Sequence, residues 1–256
     1  MVDQQVTAAT PSFPTEVIDL PSKGVFYPET SPLRSGQLEL HYMTAKHEDI
    51  LTSSNLIQKG LVLDKLIDAL IATKGVKTAD LLLGDLNAVM IAARILGYGK
   101  DYEVSMTCPS CGDTVDQTVN LTELQTINEP DGTVPQFKVV LPISKREVTL
   151  RLLTRGDELR IEKEVKALKK VNSEVDTETT TRLKSIIAAV DGDTSPAAIW
   201  TLVDNMLVRD ARYLREQYRN LVPDIDFNVT VDCTCGENQT ARLPIGADFF
   251  WPDSRV

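Results

Sequence analysis

The chain has 256 residues, enough for one domain or two closely packed ones, and its 27 Lys+Arg against 37 Asp+Glu leave a net charge of −10. A surface this acidic repels phosphate backbones and anionic headgroups on average, so neither nucleic acid nor a membrane is expected as a partner. No apolar run reaches the roughly 20 residues needed to span a bilayer, and the N-terminal MVDQQVTAATPSFP has neither a basic nor an apolar region, so a soluble, unsecreted protein with reduced thiols is expected.

Residues 1–14 mix Gln, Thr, Ala, Ser and Pro without periodicity and read as a flexible N-terminal arm. Val17 opens a strand, LPSKGVFYPETSPLRSG is a loop punctuated by Pro and Gly, and LELHYM (Leu38 to Met43) alternates as a second strand. Thr44 is placed as a helix N-cap, with Glu48 and Asp49 in the first turns. Leu63, Leu66, Ile67, Leu70 and Ile71 recur at helical spacing and Gly75 follows as a stop. A further helix is expected from near Asp85 through Val89, Met90 and Ala93 to Leu96. The period then becomes two. Tyr102, Val104, Met106 and Cys108 alternate with polar residues, so a strand delivers the first cysteine from its apolar face.

The second half keeps this order. Leu141-Pro142 answers Leu20-Pro21, and VTLRLLTRGDE (Val148 to Glu158) answers LELHYMTAKHE (Leu38 to Glu48), with Thr154 in the place of Thr44. Leu183, Ile186, Ile187 and Val190 answer the Leu63 to Ile71 stripe, DARYL (Asp210 to Leu214) answers AARIL (Ala92 to Leu96), and Phe227, Val229, Val231 and Cys233 answer Tyr102, Val104, Met106 and Cys108. Any two α+β segments share strands and helices, but here the order is kept and each series ends on a strand carrying a cysteine pair. The expected fold class is α+β with internally duplicated units, each a strand pair, a helical middle and a cysteine-bearing β-hairpin. The first unit spans 15–126, a linker 127–135, and the second unit 136–256.

Cys108-x2-Cys111 and Cys233-x-Cys235 hold all four cysteines. If the units pack about a pseudo-two-fold axis, the hairpins meet, and Cys108, Cys111, Cys233 and Cys235 become ligands of a zinc-ribbon-like site for one structural Zn2+ per chain. Four protein ligands close the tetrahedron and leave no position for a catalytic water. Gly112 and Gly236 follow the second cysteine of each pair, where a knuckle needs positive φ and backbone N–H groups aimed at sulfur. The Cys-x-Cys spacing departs from the commonest ribbon. An iron–sulfur cluster also takes four thiolates, and unliganded or oxidised thiols are a further alternative. A thioredoxin-like pair needs a helix N-terminus, whereas these flanks alternate as strands.

Other chemistry is thin. His41 and His47 read as surface and capping residues, DGDTSP as a turn before a helix opening at Pro196, and RIEKEVKALKKVNSEVDTE as a solvated helix with one packed edge. Phosphate-loop, nucleophile-elbow and zincin motifs are absent, so no enzyme, no catalytic or cofactor-binding residue and no small-molecule substrate is expected. The rival class is a zinc-ribbon nucleic-acid-binding or regulatory adaptor protein. It needs Lys and Arg around the knuckles, yet SMTCPSCGDTVDQ and TVDCTCGENQT carry Asp113, Asp116, Asp232 and Glu237 and no basic residue. The aromatics of GVFYP (Gly24 to Pro28) and DFFWP (Asp248 to Pro252) either pack within the chain or anchor a partner.

IDLPSKGVFYPE, EDILTSSNLIQKG, NAVMIAARILGYGKDYE, the cysteine pairs and FFWP, occurring in this order, resemble the baseplate hub subunit and hub-assembly proteins of T4-type contractile-tailed bacteriophages, over roughly residues 17–252. The resemblance implies a late-expressed structural or assembly protein without enzymatic activity. It would act with other phage baseplate hub and tail proteins in the host cytoplasm during assembly, and in the virion tail baseplate if it stays in the particle.

Overall fold

The computed structural model describes residues 14–131, 137–171, 177–236, 239–245 and 247–250. The arm up to residue 13, residues 132–135 of the linker, Glu237, Trp251 and Pro252 lie outside that set. Strand β1 (Thr15–Asp19) pairs antiparallel with β2 (Gln37–His41), Ile18 opposite Leu38. The loop between them folds back on itself, and a Cβ on Gly24 would sit 2.4 Å from the Arg34 carbonyl oxygen, which with its φ of +75° leaves only glycine. Thr44 caps α1 (Ala45–Leu51) as expected, its N–H donating to His47 Nδ1 at 2.9 Å. Next come α2 (Ser54–Lys59) and α3 (Val62–Leu70), the latter burying Val62, Leu66, Ile67 and Leu70. Ile71 leaves the helix to bridge Leu40 of β2. Helix α4 (Leu83–Tyr98), the hairpin β3 (Asp101–Thr107) and β4 (Thr114–Asn120), and the short β5 (Thr126–Ile127) complete this half.

The second half begins with β6 (Lys138–Val140) and β7 (Glu147–Leu150). It continues through α5 (Arg155–Val171), α6 (Glu178–Ile186), β8 (Ile187–Val190), α7 (Pro196–Asp204) and α8 (Val208–Leu221). It ends with β9 (Asp224–Ile225) and the hairpin β10 (Asn228–Val231) and β11 (Gln239–Arg242). Strands β6, β7 and β8 form one antiparallel sheet, and the remaining strands pair in twos, β5 with β9 across the two halves. The architecture is α+β, with eight α-helices and small sheets among the described residues.

Two expected matches shift. Ile187 leaves α6 to pair with Leu150 much as Ile71 leaves α3 to bridge Leu40, but Val190 continues into β8, where β-branched side chains pack against β7 and the left-handed Asp191-Gly192 turn ends the strand. The DARYL segment opens α8, whereas AARIL lies in the C-terminal part of α4, so Asp210 corresponds in helix position to Asp85 rather than to Ala92.

The buried apolar residues form two clusters. One runs from Leu20 to Leu121 and takes in Phe227, Val231, Leu243, Phe249 and Phe250 from the end of the chain; the other runs from Phe137 to Leu214. The terminal stretch thus returns to the first core. There Phe249 and Phe250 are fully buried, a transfer term of about 2 kcal/mol each, and Phe249 meets Tyr102 edge-on at 5.0 Å. Between the clusters, Phe26 stacks on Phe137 at 5.3 Å, Leu82 bridges Thr154, and Arg155 grips Asp64. The GVFYP loop therefore packs inside the chain, Tyr27 being buried as well.

Candidate metal centre

The alternation in β3 buries Tyr102 and Met106 and leaves Cys108 at the end of the same face, 1 % exposed. Beyond it the chain makes a knuckle. The N–H of Gly112 donates to the Cys108 carbonyl at 2.9 Å and that of Cys108 to the Asp113 carbonyl at 2.8 Å. The second knuckle follows β10, with the N–H of Gly236 on the Cys233 carbonyl at 3.3 Å. Gly112 and Gly236 have φ of +79° and +82°, and a Cβ on either would meet nothing within 4 Å, so these positions need glycine for backbone conformation rather than for space.

The fold brings the two knuckles together. Gln117 on β4 donates through Nε2 to the Thr230 carbonyl at 3.0 Å and accepts the Asp232 N–H at 3.2 Å, so one side-chain amide pairs with the backbone of the other hairpin much as a strand would. At the hairpin roots, Arg94 Nε donates to the Phe249 carbonyl at 2.9 Å and the Tyr102 hydroxyl to the Pro244 carbonyl at 3.4 Å. Sequence reasoning missed Gln117, because a glutamine on a half-exposed strand carries no local sign of a partner 113 positions away.

Cys108 Sγ lies 3.8 Å from Cys235 Sγ and Cys111 Sγ 3.5 Å from Cys233 Sγ, and all four sulfurs fall within 4.8 Å of one another. A tetrahedron with metal–sulfur bonds of about 2.3 Å has edges of about 3.8 Å. The donor set and its spacing fit one tetrahedral, thiophilic ion, with two ligands from each half of the chain. A cluster of several irons holds cysteines on different metal atoms, which spreads the sulfurs further apart than this group. The electrostatics point the same way. Backbone N–H groups of Cys111 and Ser110 aimed at its sulfur bring the Cys108 thiol down to about 7, against the effect of burial. The Asp113 N–H favours a thiolate at Cys111, but the sulfurs of Cys233 and Cys108, burial and the Asp113 carboxylate outweigh it and push that thiol up to about 12. The surroundings thus favour a thiolate at Cys108 and resist one at Cys111, and a divalent cation among the sulfurs would favour the charged form of each.

His47 has the capping role expected of it, and His41 sits on β2 away from the cysteines. Asp191, Gly192 and Asp193 form the turn expected before α7, whose N-cap is Ser195. Residues 26–251 match the family described as T4 bacteriophage base plate protein. The chain belongs to this family. As a member it is a structural protein of the phage tail baseplate, and the matched stretch contains both knuckles and every buried residue of the two clusters except Leu20. No curated protein and no solved structure matches the chain.

Proposed function

We propose that this baseplate protein is a non-enzymatic component or assembly factor of the baseplate hub, working through contacts with other hub and tail proteins, its two halves joined by one structural zinc. The observation that carries the baseplate reading is the family match over residues 26–251. The zinc rests on four sulfurs within 4.8 Å, two from each hairpin, in a group with no open ligand position. A duplicated origin is supported by the repeated order of elements, in which a strand pair, helices and a cysteine hairpin recur in each half. The units are residues 15–126 and 136–256, with the second hairpin packed on the first core. The acidic surroundings of both knuckles disfavour the nucleic-acid adaptor reading.

The test is quantitative mass spectrometry of baseplate intermediates and finished particles, from cells infected with wild-type phage and with a nonsense mutant of this gene. The protein is expected at fixed stoichiometry in hub-containing intermediates, and the mutant should stop before complete baseplates form. Normal hubs assembled without it would overturn the reading. Its presence or loss in finished particles separates a resident subunit from an assembly factor.

A further inference from the structure

Residues of α6 and α8 line an open cleft of about 850 Å³. Its polar lining is dominated by Arg182, Arg212, Arg215 and Arg219, and Leu183 and Ile186, both buried in the second core, form its floor. Four guanidinium groups around one concavity are unexpected in a chain of net charge −10. Arg182 is committed, since it holds Glu158 through two bonds of 2.9 and 2.6 Å and Glu178 at 3.6 Å. The other three are not. Arg212, Arg215 and Arg219 recur on one face of α8, are exposed, and have no carboxylate partner among the described residues; Arg215 Nε donates only to the Ala211 carbonyl of its own helix. Asp210, the acidic residue nearest the start of the helix, is turned inward to the backbone of Ile143 and Ser144 and neutralises none of them.

We propose that this cleft receives an acidic segment of a partner tail protein, with an apolar side chain on the Leu183–Ile186 floor and Asp or Glu carboxylates on Arg212, Arg215 and Arg219. The choice of partner as a tail protein rests on the baseplate reading; the chemistry rests on the cleft. Arginine suits the role because its planar fork takes a carboxylate through two parallel bonds. A nucleic acid fits less well. The arginines from 212 to 219 cover about 10 Å of helix, too short to track a phosphate backbone, the apolar floor gives phosphates nothing, and the field of the whole molecule repels a long polyanion.

The experiment uses the full chain and fluorescence anisotropy with four labelled probes. These are a 16-residue peptide with Glu and Leu at helical spacing, the same peptide with Lys for Glu, the same with Ser for Leu, and a single-stranded DNA of matched charge. The Glu–Leu peptide should bind most tightly and weaken as salt rises. Replacing Arg212, Arg215 and Arg219 together by alanine should weaken it about 30-fold, three charge pairs a little above the middle of the exposed range. Circular dichroism of that variant should be unchanged, and Arg209→Ala, on the same helix outside the cleft, should leave binding intact. Equal binding of the Lys or DNA probe, or no loss in the triple variant, would overturn the proposal. A protein present in baseplates whose cleft ignores the Glu–Leu peptide would overturn the cleft alone and leave the baseplate reading standing.

Discussion

Asp85 and Asp210 hold the same kind of loop in the two halves of the chain. Asp85, in the first turn of α4, accepts the Ser22 N–H at 2.9 Å and the Ser22 hydroxyl at 2.6 Å, directly after Leu20-Pro21. Asp210, in the first turn of α8, accepts the N–H groups of Ile143 and Ser144 at 2.8 and 2.9 Å, directly after Leu141-Pro142. The two aspartates are 125 positions apart, the same step as between Cys108 and Cys233. A shared step for a buried polar clamp and a cysteine knuckle is what a duplicated unit would keep.

The two carboxyls are shifted in opposite directions, and this gives opposite dependences on pH. Burial pushes the Asp85 carboxyl above its ordinary range, with the Ser22 and Tyr27 hydrogen bonds opposing it. At Asp210 burial acts the same way, but the N–H groups of Ile143 and Ser144 prevail and hold the carboxyl below that range. Asp210 therefore stabilises the fold above the ordinary carboxylate pKa and loses that contribution as pH falls through its depressed value. The contribution of Asp85 is full below the ordinary value and declines as pH rises towards its raised one. At neutral pH, Asp210→Asn should cost about 2 kcal/mol and Asp85→Asn less. Urea unfolding between about pH 2 and pH 8 checks the contrast: Asp85→Asn should remove a stability loss on raising the pH above the ordinary carboxylate value, and Asp210→Asn one on lowering it below that value.

Arg155 and Asp64 join the two halves through bonds of 2.7 and 2.9 Å, with Arg155 also 3.0 Å from Glu162. Their side chains are 17 % and 13 % exposed, so neither is well hydrated when alone. Arg155→Ala should cost about 3 kcal/mol, because it leaves Asp64 charged and unpaired. The double variant with Asp64→Ala should lose less than the sum of the single losses by at least about 1 kcal/mol. A double-mutant cycle by denaturant unfolding measures this coupling, and strict additivity would remove the pair from the account.

Much of the local structure was legible in the sequence, because local chemistry decides it. The Thr44 cap, the apolar stripe from Leu63 to Leu70, the alternation from Tyr102 to Cys108 and the glycines of both knuckles each act within one turn or one strand. What was missed depends on distant partners. Packing of Phe249 and Phe250 within the chain was one of the two readings open to them, but that they join the first core rather than the second was not legible; Gln117 ties one hairpin to the other and Ile187 joins β7, and none of these pairings leaves a trace in the neighbouring residues. A signal did exist for the clamps: LLLGDLNAVM sets an aspartate inside an apolar helix, and a buried carboxylate needs donors.

Gly84 is where α4 touches the chain entering β9. A Cβ there would lie 1.8 Å from the Pro223 carbonyl oxygen, a backbone atom that cannot turn aside. Alanine normally favours a helix over glycine, so the sign of the effect is informative. Gly84→Ala should destabilise the protein by about 3 kcal/mol through overpacking, read from the thermal midpoint. A gain in stability would show that α4 and the Pro223 backbone do not meet this closely.

A shared centre would couple the hairpins. If Cys108, Cys111, Cys233 and Cys235 hold one ion, replacing only Cys233 and Cys235 by serine should also loosen the β3–β4 hairpin, although its own cysteines are intact. Closing the loop of 122 positions between Cys111 and Cys233 restricts the unfolded chain by about 5 kcal/mol in the entropy treatment of a comparable disulfide, an upper guide here. Hydrogen exchange should show lower protection from Tyr102 to Val119 in that variant. Full protection there would mean that the two pairs act separately.

The most direct test of a zinc-joined baseplate protein is the metal content of the full chain purified without added metal, combined with X-ray absorption at the zinc edge. The account predicts about one zinc per chain, with four sulfur neighbours at about 2.3 Å and no oxygen or nitrogen in the first shell. It also predicts that no thiol reacts with a thiol reagent until a chelator is added. A chain that folds without metal and offers four freely reactive thiols, or one whose zinc has fewer than four sulfur ligands, would contradict it.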